Sequence, residues 1–171
     1  VVIVPIPRGD WRETVLPHAE RIKAELEQGG VRVMLDDRDE HSPGWKYAEW
    51  EMRGVPLRLE IGPRDIKNEQ VMLVRRDTRE KLPTPMDGLA AHVVGLLDVI
   101  QLALLERATM FREEHTLKTT DRAEFVTSLE GRPGYVVAPW CGSGECETLI
   151  KTATQATIRN IPLAPPPASG T

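Results

Sequence analysis

The sequence predicts an α/β fold, and three features of its first 35 residues lead to that prediction. Val1 to Val4 form a β-branched run, which is typical of a strand buried on both faces of a mostly parallel sheet. A helix is predicted over residues 11–28, where apolar residues recur at spacings of four and three and Gly29-Gly30 follows. Apolar residues alternate over residues 31–35 as in a second strand, and strand–helix–strand order favours a sheet with helices on its faces. The helical stripe comprises Val15, Ala19, Ile22 and Leu26.

Similar patterns predict the later elements. A turn at Ser42-Pro43-Gly44 precedes a helix over residues 45–53, and alternating apolar residues predict a strand over residues 57–61. A further strand over residues 71–74 is closed by a turn, and Pro83 to Gly88 are expected to end the sheet. A long helix over residues 89–114 leads to a second, small α/β unit with a Pro-rich tail that we expect to be disordered. That unit has predicted helices at 122–130 and 146–154, strands at 135–138 and 156–161, and the tail at 162–171.

The length and composition limit the classes of protein to which this chain can belong. With 171 residues the chain is long enough for one domain and a small appendage, and we expect no stretch to approach the roughly 20 apolar residues of a membrane span. The net charge of −4 gives no bulk signature of polyanion binding, although residues 45–81 are net positive. Two cysteines and no signal peptide predict a reducing, cytoplasmic location. Because the sequence opens on Val1 inside a strand, we expect it to be a piece of a longer chain.

Aromatic and charged residues are interleaved in the predicted helix over residues 45–53. Lys46, Glu49 and Arg53 share one helical face, with Trp45 and Trp50 beside them. One interpretation is a surface that stacks and hydrogen-bonds unpaired RNA bases. The other is an amphipathic helix whose tryptophans lie in the core and whose charges are solvated, and spacing alone favours it.

A second set of charged residues is expected to gather at the ends of the two adjacent strands over residues 57–61 and 71–74. Arginine suits the O6 and N7 acceptors of guanine and a carboxylate suits its donors, so a pocket with both signs would favour guanine. The alternative is a set of surface ion pairs, each worth about 1 kcal/mol or less. The set comprises Arg58, Glu60, Arg64, Asp65, Arg75, Arg76 and Asp77.

Cys141 and Cys146 have the spacing of half a structural zinc site, but a closed tetrahedral site needs two more ligands. No further cysteine follows, and the four histidines lie far upstream. Phosphate-binding Gly-rich loops, a Gly-x-Ser-x-Gly elbow and a His-Glu-x-x-His helix are also absent from the sequence. We therefore predict no catalytic centre in this chain.

The run from Ser42 to Asp65, SPGWKYAEWEMRGVPLRLEIGPRD, closely resembles the anticodon-binding domain of the prolyl-tRNA synthetases of the archaeal and eukaryote-like type. Residues 1–7 resemble the opening strand of that domain, and residues 71–77 resemble its valine-arginine-arginine-aspartate strand. Residues 138–162 resemble the C-terminal domain of the family, which in many members holds zinc through four cysteines. The chain departs from that pattern at Asn160, where several relatives have a cysteine, and it ends before the usual second thiol pair.

The resemblance implies a class IIa anticodon-binding domain over residues 1–100, with a mixed, mostly parallel five-stranded sheet flanked by helices. Residues 101–171 would be a linking helix and a zinc-binding-like α/β domain with a disordered tail. The implied parent enzyme is a cytoplasmic, homodimeric proline–tRNA ligase that uses ATP and Mg²⁺ to join proline to tRNA(Pro). Its catalytic domain is absent from this sequence, and zinc is possible in the full-length protein.

Proline anticodons share two adjacent guanines, so the resemblance implies that this chain recognises them. Trp45 would stack on a base, and Arg75 and Arg76 would hold phosphates. Cys141 and Cys146 would be half of a metal site. The candidates for guanine edges are Lys46, Arg53, Glu60, Arg64 and Asp65. The alternative hypothesis is a free-standing α/β module that binds a small molecule or regulates a partner without binding RNA.

Overall fold

The computed structural model describes residues 1–131, 134–161 and 163, and the chain divides into two compact units, Val1–Leu105 and Glu106–Thr171. The elements that begin in the first unit are β1 (Val2–Pro5), α1 (Trp11–Thr14), α2 (Leu16–Gln28), β2 (Met34–Leu35), α3 (Pro43–Met52), β3 (Leu57–Ile61), α4 (Pro63–Lys67), β4 (Gln70–Arg75), β5 (Lys81–Pro85) and α5 (Leu89–Glu114). Those of the second unit are β6 (Thr116–Lys118), α6 (Arg122–Gly131), β7 (Tyr135–Val137) and α7 (Gly144–Thr154). The predicted boundary between residues 100 and 101 stays a prediction.

The first unit is built on a five-stranded mixed sheet with the strand order β2-β1-β3-β4-β5. Strand β1 pairs in parallel with both β2 and β3, whereas β4 is antiparallel to β3 and to β5. The predicted α/β class with a mixed five-stranded sheet is therefore confirmed. The sheet ends at Pro85, inside the segment from Pro83 to Gly88 that was expected to end it. Strand β5 itself was not predicted, and it is an edge strand, where a proline without an N–H is tolerated.

The main core lies on one face of this sheet, between the strands and helices α2 and α5. The predicted stripe of α2 is fully buried there, as its 3.6-residue periodicity requires. The stripe packs against Ile3, Leu59 and Leu73 of the sheet and against Leu89 and Val93 of α5. Burial of such aliphatic side chains supplies the main driving force for folding, about 1.5–3 kcal/mol each.

Helix α3 covers the opposite face of the sheet. It begins two residues before the predicted start, because Pro43 suits the first helical position and the Ser42 hydroxyl accepts a hydrogen bond from the Trp45 N–H (3.4 Å). Trp50 packs on Val2 and Val4 of β1, so α3 has its own small core. The parallel register pairs these two valines with Arg58 and Glu60, which places both charged residues on the face that carries α3.

Helix α5 is the predicted long helix, with the predicted bounds. By length and composition alone it could cross a membrane, so the expectation that no stretch approaches a span is wrong for this helix. Of its most apolar 18 residues, 22% are buried. The buried side chains Leu89, Val93 and Ile100 belong to the core of the first unit, which gives the apolar composition a packing role.

The second unit contains a parallel pair, β6 and β7, with helices α6 and α7. Strand β6 was not predicted, because three residues are too few to show an alternating pattern. The strand predicted over residues 156–161 is wrong, since these residues have no regular secondary structure. The predicted disordered tail at 162–171 lies outside the described residues apart from Leu163.

Candidate nucleic-acid interface

A cluster of opposite charges and one aromatic ring lies where α3 crosses β3. The Arg58 guanidinium donates from Nε to Glu60 Oε1 (3.0 Å) and from Nη1 to Glu51 Oε1 (2.9 Å). Its central carbon lies 3.9 Å from the centroid of the Tyr47 ring, which is a cation–π distance. We call these four residues the Arg58 cluster.

The Arg58 cluster is partly open to solvent. The Arg58 side chain is 10% exposed, whereas that of Glu51 is 45% exposed, so one carboxylate of the cluster is accessible to a ligand. Burial raises the pKa of Tyr47, and the negative charge of Glu60 raises it further, so the phenol stays a neutral O–H donor at pH 7. The cluster thus combines a guanidinium fork, two carboxylates and an aromatic plane in one place.

This combination fits the polar edges of a guanine. A guanidinium fork matches the O6 and N7 acceptors, and a carboxylate matches the donors of the Watson–Crick edge. A solvated carboxylate would instead repel an adenine N1 acceptor, because an ionised carboxylate offers no donor. Sequence reasoning missed three members of this cluster as contacts to a base: Tyr47, Glu51 and Arg58. Arg58 was named only as a member of the charged set around the two strands.

Arg64 and Asp65 follow the carboxyl end of β3 in helix α4. Asp65 Oδ2 accepts a hydrogen bond from the Gly62 N–H (2.8 Å), so one of its oxygens caps the helix. Arg64 is exposed and belongs to the same turn. Glu60 is four residues before Arg64 on the chain, and the three predicted residues therefore lie at the same end of one strand.

Arg75 and Arg76 lie at the other end of the sheet. Antiparallel pairing sets Arg75 opposite Leu57, the first residue of β3, so about 13 Å of strand separates it from the Arg64 end. Arg75 and Arg76 therefore lie apart from Arg64 and Asp65, but they line one pocket together with Arg58 and Glu51. Arg75 holds Asp77 through Nε (3.1 Å) and Nη2 (2.7 Å), which lowers the pKa of the Asp77 carboxyl, whereas Arg76 is exposed.

Lys46 belongs to α3, but its side chain is turned toward the interior, and the residue is only 2% exposed. Its Nζ donates to the backbone oxygen of Asp36 (3.1 Å) and lies 3.7 Å from the Asp36 carboxylate. An ammonium group in this position cannot reach a base edge without leaving its partner. The burial of Lys46 argues against a contact with guanine, because a buried acid draws its side chain inward, and the predicted contact itself stays a prediction.

Trp45 and Arg53 lie at opposite ends of α3, and both are accessible. Trp45 is 45% exposed and stacks with His41 at a centroid distance of 3.6 Å. The Arg53 guanidinium lies 4.8 Å from the Trp50 ring and pairs with Glu49 (2.5 Å). Neither residue belongs to the Arg58 cluster. The amphipathic interpretation of this helix holds for Trp50, which is buried, and fails for Trp45.

Asp36, which the sequence analysis did not single out, is the most connected buried acid of this region. Its carboxylate accepts hydrogen bonds from Arg38 Nε (2.8 Å), Arg38 Nη2 (2.7 Å) and Trp50 Nε1 (2.7 Å). Burial by itself would raise the pKa of this carboxyl, but the hydrogen bonds from Arg38 and Trp50 and the charge of Lys46 outweigh it. They hold the pKa of Asp36 far below its ordinary value, so the group is ionised throughout the physiological range.

Cys141 and Cys146 are free, exposed thiols next to the start of α7. The Ser143 N–H and then the Cys146 thiol lower the pKa of Cys141, whereas Cys141 raises that of Cys146. Within residues 1–131, 134–161 and 163, no group of three or more potential metal ligands comes together. The donors present in this part of the chain therefore do not fit a closed four-ligand zinc site.

Comparison with known proteins gives matches along most of the chain. The family model described as "Anticodon binding domain" matches residues 1–96, and "Prolyl-tRNA synthetase, C-terminal" matches residues 122–171. The chain is 48% identical over 164 residues to proline–tRNA ligase 2 of Clostridioides difficile strain 630, covering 95% of this chain and 33% of that protein. It is 46% identical over 166 residues to the proline–tRNA ligase of Prosthecochloris aestuarii, covering 96% and 34%.

A solved structure shows a related architecture. The crystal structure of prolyl-tRNA synthetase from Cryptosporidium parvum, complexed with L-proline and AMP, matches with a TM-score of 0.77 and 34% identity. The match covers 90% of this chain and 33% of that one. The chain thus spans about a third of the length of the relatives it matches.

Proposed function

The chain belongs to the prolyl-tRNA synthetase family, with an anticodon-binding domain followed by the family's C-terminal domain, and we propose that it reads the two adjacent guanines of the proline anticodon. The observation that carries the proposal is the Arg58 cluster. It holds a guanidinium, two carboxylates and an aromatic ring within contact distance on the face of the sheet that carries α3.

Charge balance explains why such a site would prefer guanine. An arginine alone attracts every nucleotide, because the phosphate is negative whatever the base. The carboxylate of Glu51 adds selectivity, since it accepts hydrogen bonds and is repelled by base acceptors. Specificity for guanine then comes from repulsion of a base edge that presents an acceptor as well as from hydrogen bonds to the guanine edge.

The proposed roles of the predicted residues follow from where each one lies. Glu60, Arg64 and Asp65 lie at the end of β3 and would contact the anticodon beside Tyr47, Glu51 and Arg58. Trp45 would stack on a base at the exposed start of α3. Arg53 lies away from the Arg58 cluster, whereas Arg75 and Arg76 lie beside it. All three would hold phosphates. Lys46 has no direct role in this proposal.

We propose further that the chain works inside a longer, cytoplasmic proline–tRNA ligase that consumes ATP and acts on tRNA(Pro). The names of the relatives and their threefold greater length support this proposal. The Cryptosporidium parvum enzyme carries L-proline and AMP, the amino acid and a product of ATP-dependent activation. A homodimer and Mg²⁺ remain expectations for the whole enzyme.

Binding of anticodon stem-loops to the chain tests the proposal. Titration calorimetry should show that replacing either guanine by adenine weakens binding about fivefold or more, because one good base contact is worth about 1–3 kcal/mol. A stem-loop changed only in its stem serves as the control and should bind like the unchanged one. Equal affinity for the guanine and adenine loops would contradict the proposal.

The alternative of a small-molecule or regulatory module has no observation in its favour. Two concave regions of the first unit are lined in part by guanidinium groups: one contains Arg58, Arg75 and Arg76, and the other contains Arg38 and Arg53. The comparisons match synthetases throughout.

A further inference from the structure

Asp36 ties one side of α3 to the end of β2. Its carboxylate is enclosed, with three hydrogen bonds of 2.7 to 2.8 Å from Arg38 and Trp50. Its backbone oxygen accepts a further bond from Lys46 (3.1 Å). Arg38 extends the connection, because its Nη2 also reaches Glu49 Oε2 (2.5 Å). Three residues of α3 are therefore held, directly or through Arg38, by this single acid.

The residues of α3 that Asp36 holds differ from those that face the proposed site. Lys46, Glu49 and Trp50 connect to Asp36, whereas Tyr47 and Glu51 contact Arg58 on β3. Glu49 and Trp50 follow Lys46 by three and four residues, and Glu51 follows Tyr47 by four, so the two sets form two adjacent stripes of one helix. A rotation or shift of α3 that breaks the first set must also move the second.

We propose that Asp36 is a positioning residue for anticodon recognition: it fixes the rotation and height of α3 at which Tyr47 and Glu51 meet Arg58. This inference rests on the proposed function and adds a residue that does not itself contact RNA. Asp36 lies beneath α3 with its carboxylate fully buried, so it acts on the base only through the helix.

The chemistry of the position favours a carboxylate over its amide. A carboxylate only accepts, and all the groups facing it here are donors: the Arg38 guanidinium, the Trp50 indole N–H and the Lys46 ammonium. An asparagine of the same shape would turn its NH₂ group toward one of these donors. It would also leave the buried Lys46 ammonium without a compensating negative charge.

The test compares the variant Asp36→Asn with the control Asp77→Asn. Asp77 is also a shielded carboxylate held by two bonds from one arginine, Arg75, which is a proposed phosphate contact beside the cluster. Loosening Arg75 should weaken binding to both loops alike and so leave their ratio unchanged. The measurement is the ratio of the dissociation constants for the guanine stem-loop and for the same loop with one guanine replaced by adenine. We expect Asp36→Asn to reduce this preference by about fivefold or more and Asp77→Asn to leave it unchanged.

A conservative second variant keeps the inference testable if Asp36→Asn does not fold. Trp50→Phe keeps an aromatic ring in the small core but removes one donor to the carboxylate, so we expect a smaller loss of preference in the same direction. The thermal midpoint of each variant is measured alongside. A folded Asp36→Asn variant that loses stability but retains the full guanine preference would overturn the inference, because it would give Asp36 a purely structural role.

The same data separate the inference from the proposed function. If the unchanged chain binds guanine and adenine loops equally, the proposed function fails and the inference fails with it. If the unchanged chain discriminates and both Asp36→Asn and Trp50→Phe discriminate as well as it does, only the inference fails.

Discussion

The guanidinium of Arg58 lies 3.9 Å from the ring of Tyr47, and this contact joins the helix over one face of the sheet to the middle strand beneath it. Two carboxylates, Glu51 and Glu60, hold the same guanidinium. Arginine has five N–H donors, and within the described residues these ion pairs use two of them. The fork is thus held in place by the protein, and these ion pairs leave three of its five donors unused.

Arg58→Lys should reduce guanine preference while it preserves the positive charge. A lysine ammonium lacks the planar fork that matches two acceptors at once, so we expect a loss of about 1–3 kcal/mol in binding to the guanine loop. Binding to the adenine loop should change less. Titration calorimetry with both loops measures the difference, and Arg112→Lys, an exposed residue of α5, is the matched control. A parallel loss for both loops would mean that Arg58 supplies only charge.

Arg76→Gln should weaken binding to every stem-loop by the same factor. Arg76 is exposed at the β4 to β5 turn and lines one pocket with Arg58 and Glu51, and its proposed role is to hold a phosphate beside the Arg58 cluster. Losing one phosphate contact lowers the slope of log affinity against log salt by about one. Fluorescence anisotropy across a salt series measures this slope. A change in guanine preference without a change in slope would assign Arg76 to base reading instead.

Most of the elements in the first unit followed from local patterns, because α2 and α5 show clear helical periodicity and β1 an unbroken β-branched run, but α4 and β5 were not predicted. The positions of the arginines at the strand ends did not follow from local patterns. Arg64 and Arg75 both follow apolar strands in the sequence, but β3 and β4 run in opposite directions and carry the two residues to opposite ends of the sheet. Strand direction is set by long-range pairing, which local spacing does not contain.

The burial of Lys46 was also beyond local reasoning. Helical spacing correctly places Lys46, Glu49 and Trp50 close together, but it does not indicate which side of α3 meets the sheet. A lysine is normally assigned to solvent, and here the reverse holds because Asp36 compensates its charge. The useful signal would have been an acid at the end of the second predicted strand, in a position that a following helix must cover.

Stability should depend on pH through Asp36. The pKa of this carboxyl is lowered in the folded state, so its stabilising contribution is complete above the unfolded pKa of about 4. The contribution is lost as the pH falls below that value toward the folded pKa. Urea unfolding of the unchanged chain and of Asp36→Asn should give a constant difference in the free energy of unfolding from about pH 5 to 7. The difference should shrink progressively below about pH 4, and a difference that is independent of pH down to 3 would contradict the assignment.

Removal of metal should leave the fold of this chain unchanged. Cys141 and Cys146 supply two thiols, and no third metal ligand joins them within the described ranges, so we expect no tightly held zinc. A structural zinc site contributes directly to folding, and a chelator would unfold the part that depends on it. Circular dichroism and thermal unfolding with and without a chelator should therefore coincide, and the variant Cys141→Ser should unfold at the same temperature as the unchanged chain. One equivalent of zinc retained through dialysis against chelator would show that residues outside the described ranges complete the site.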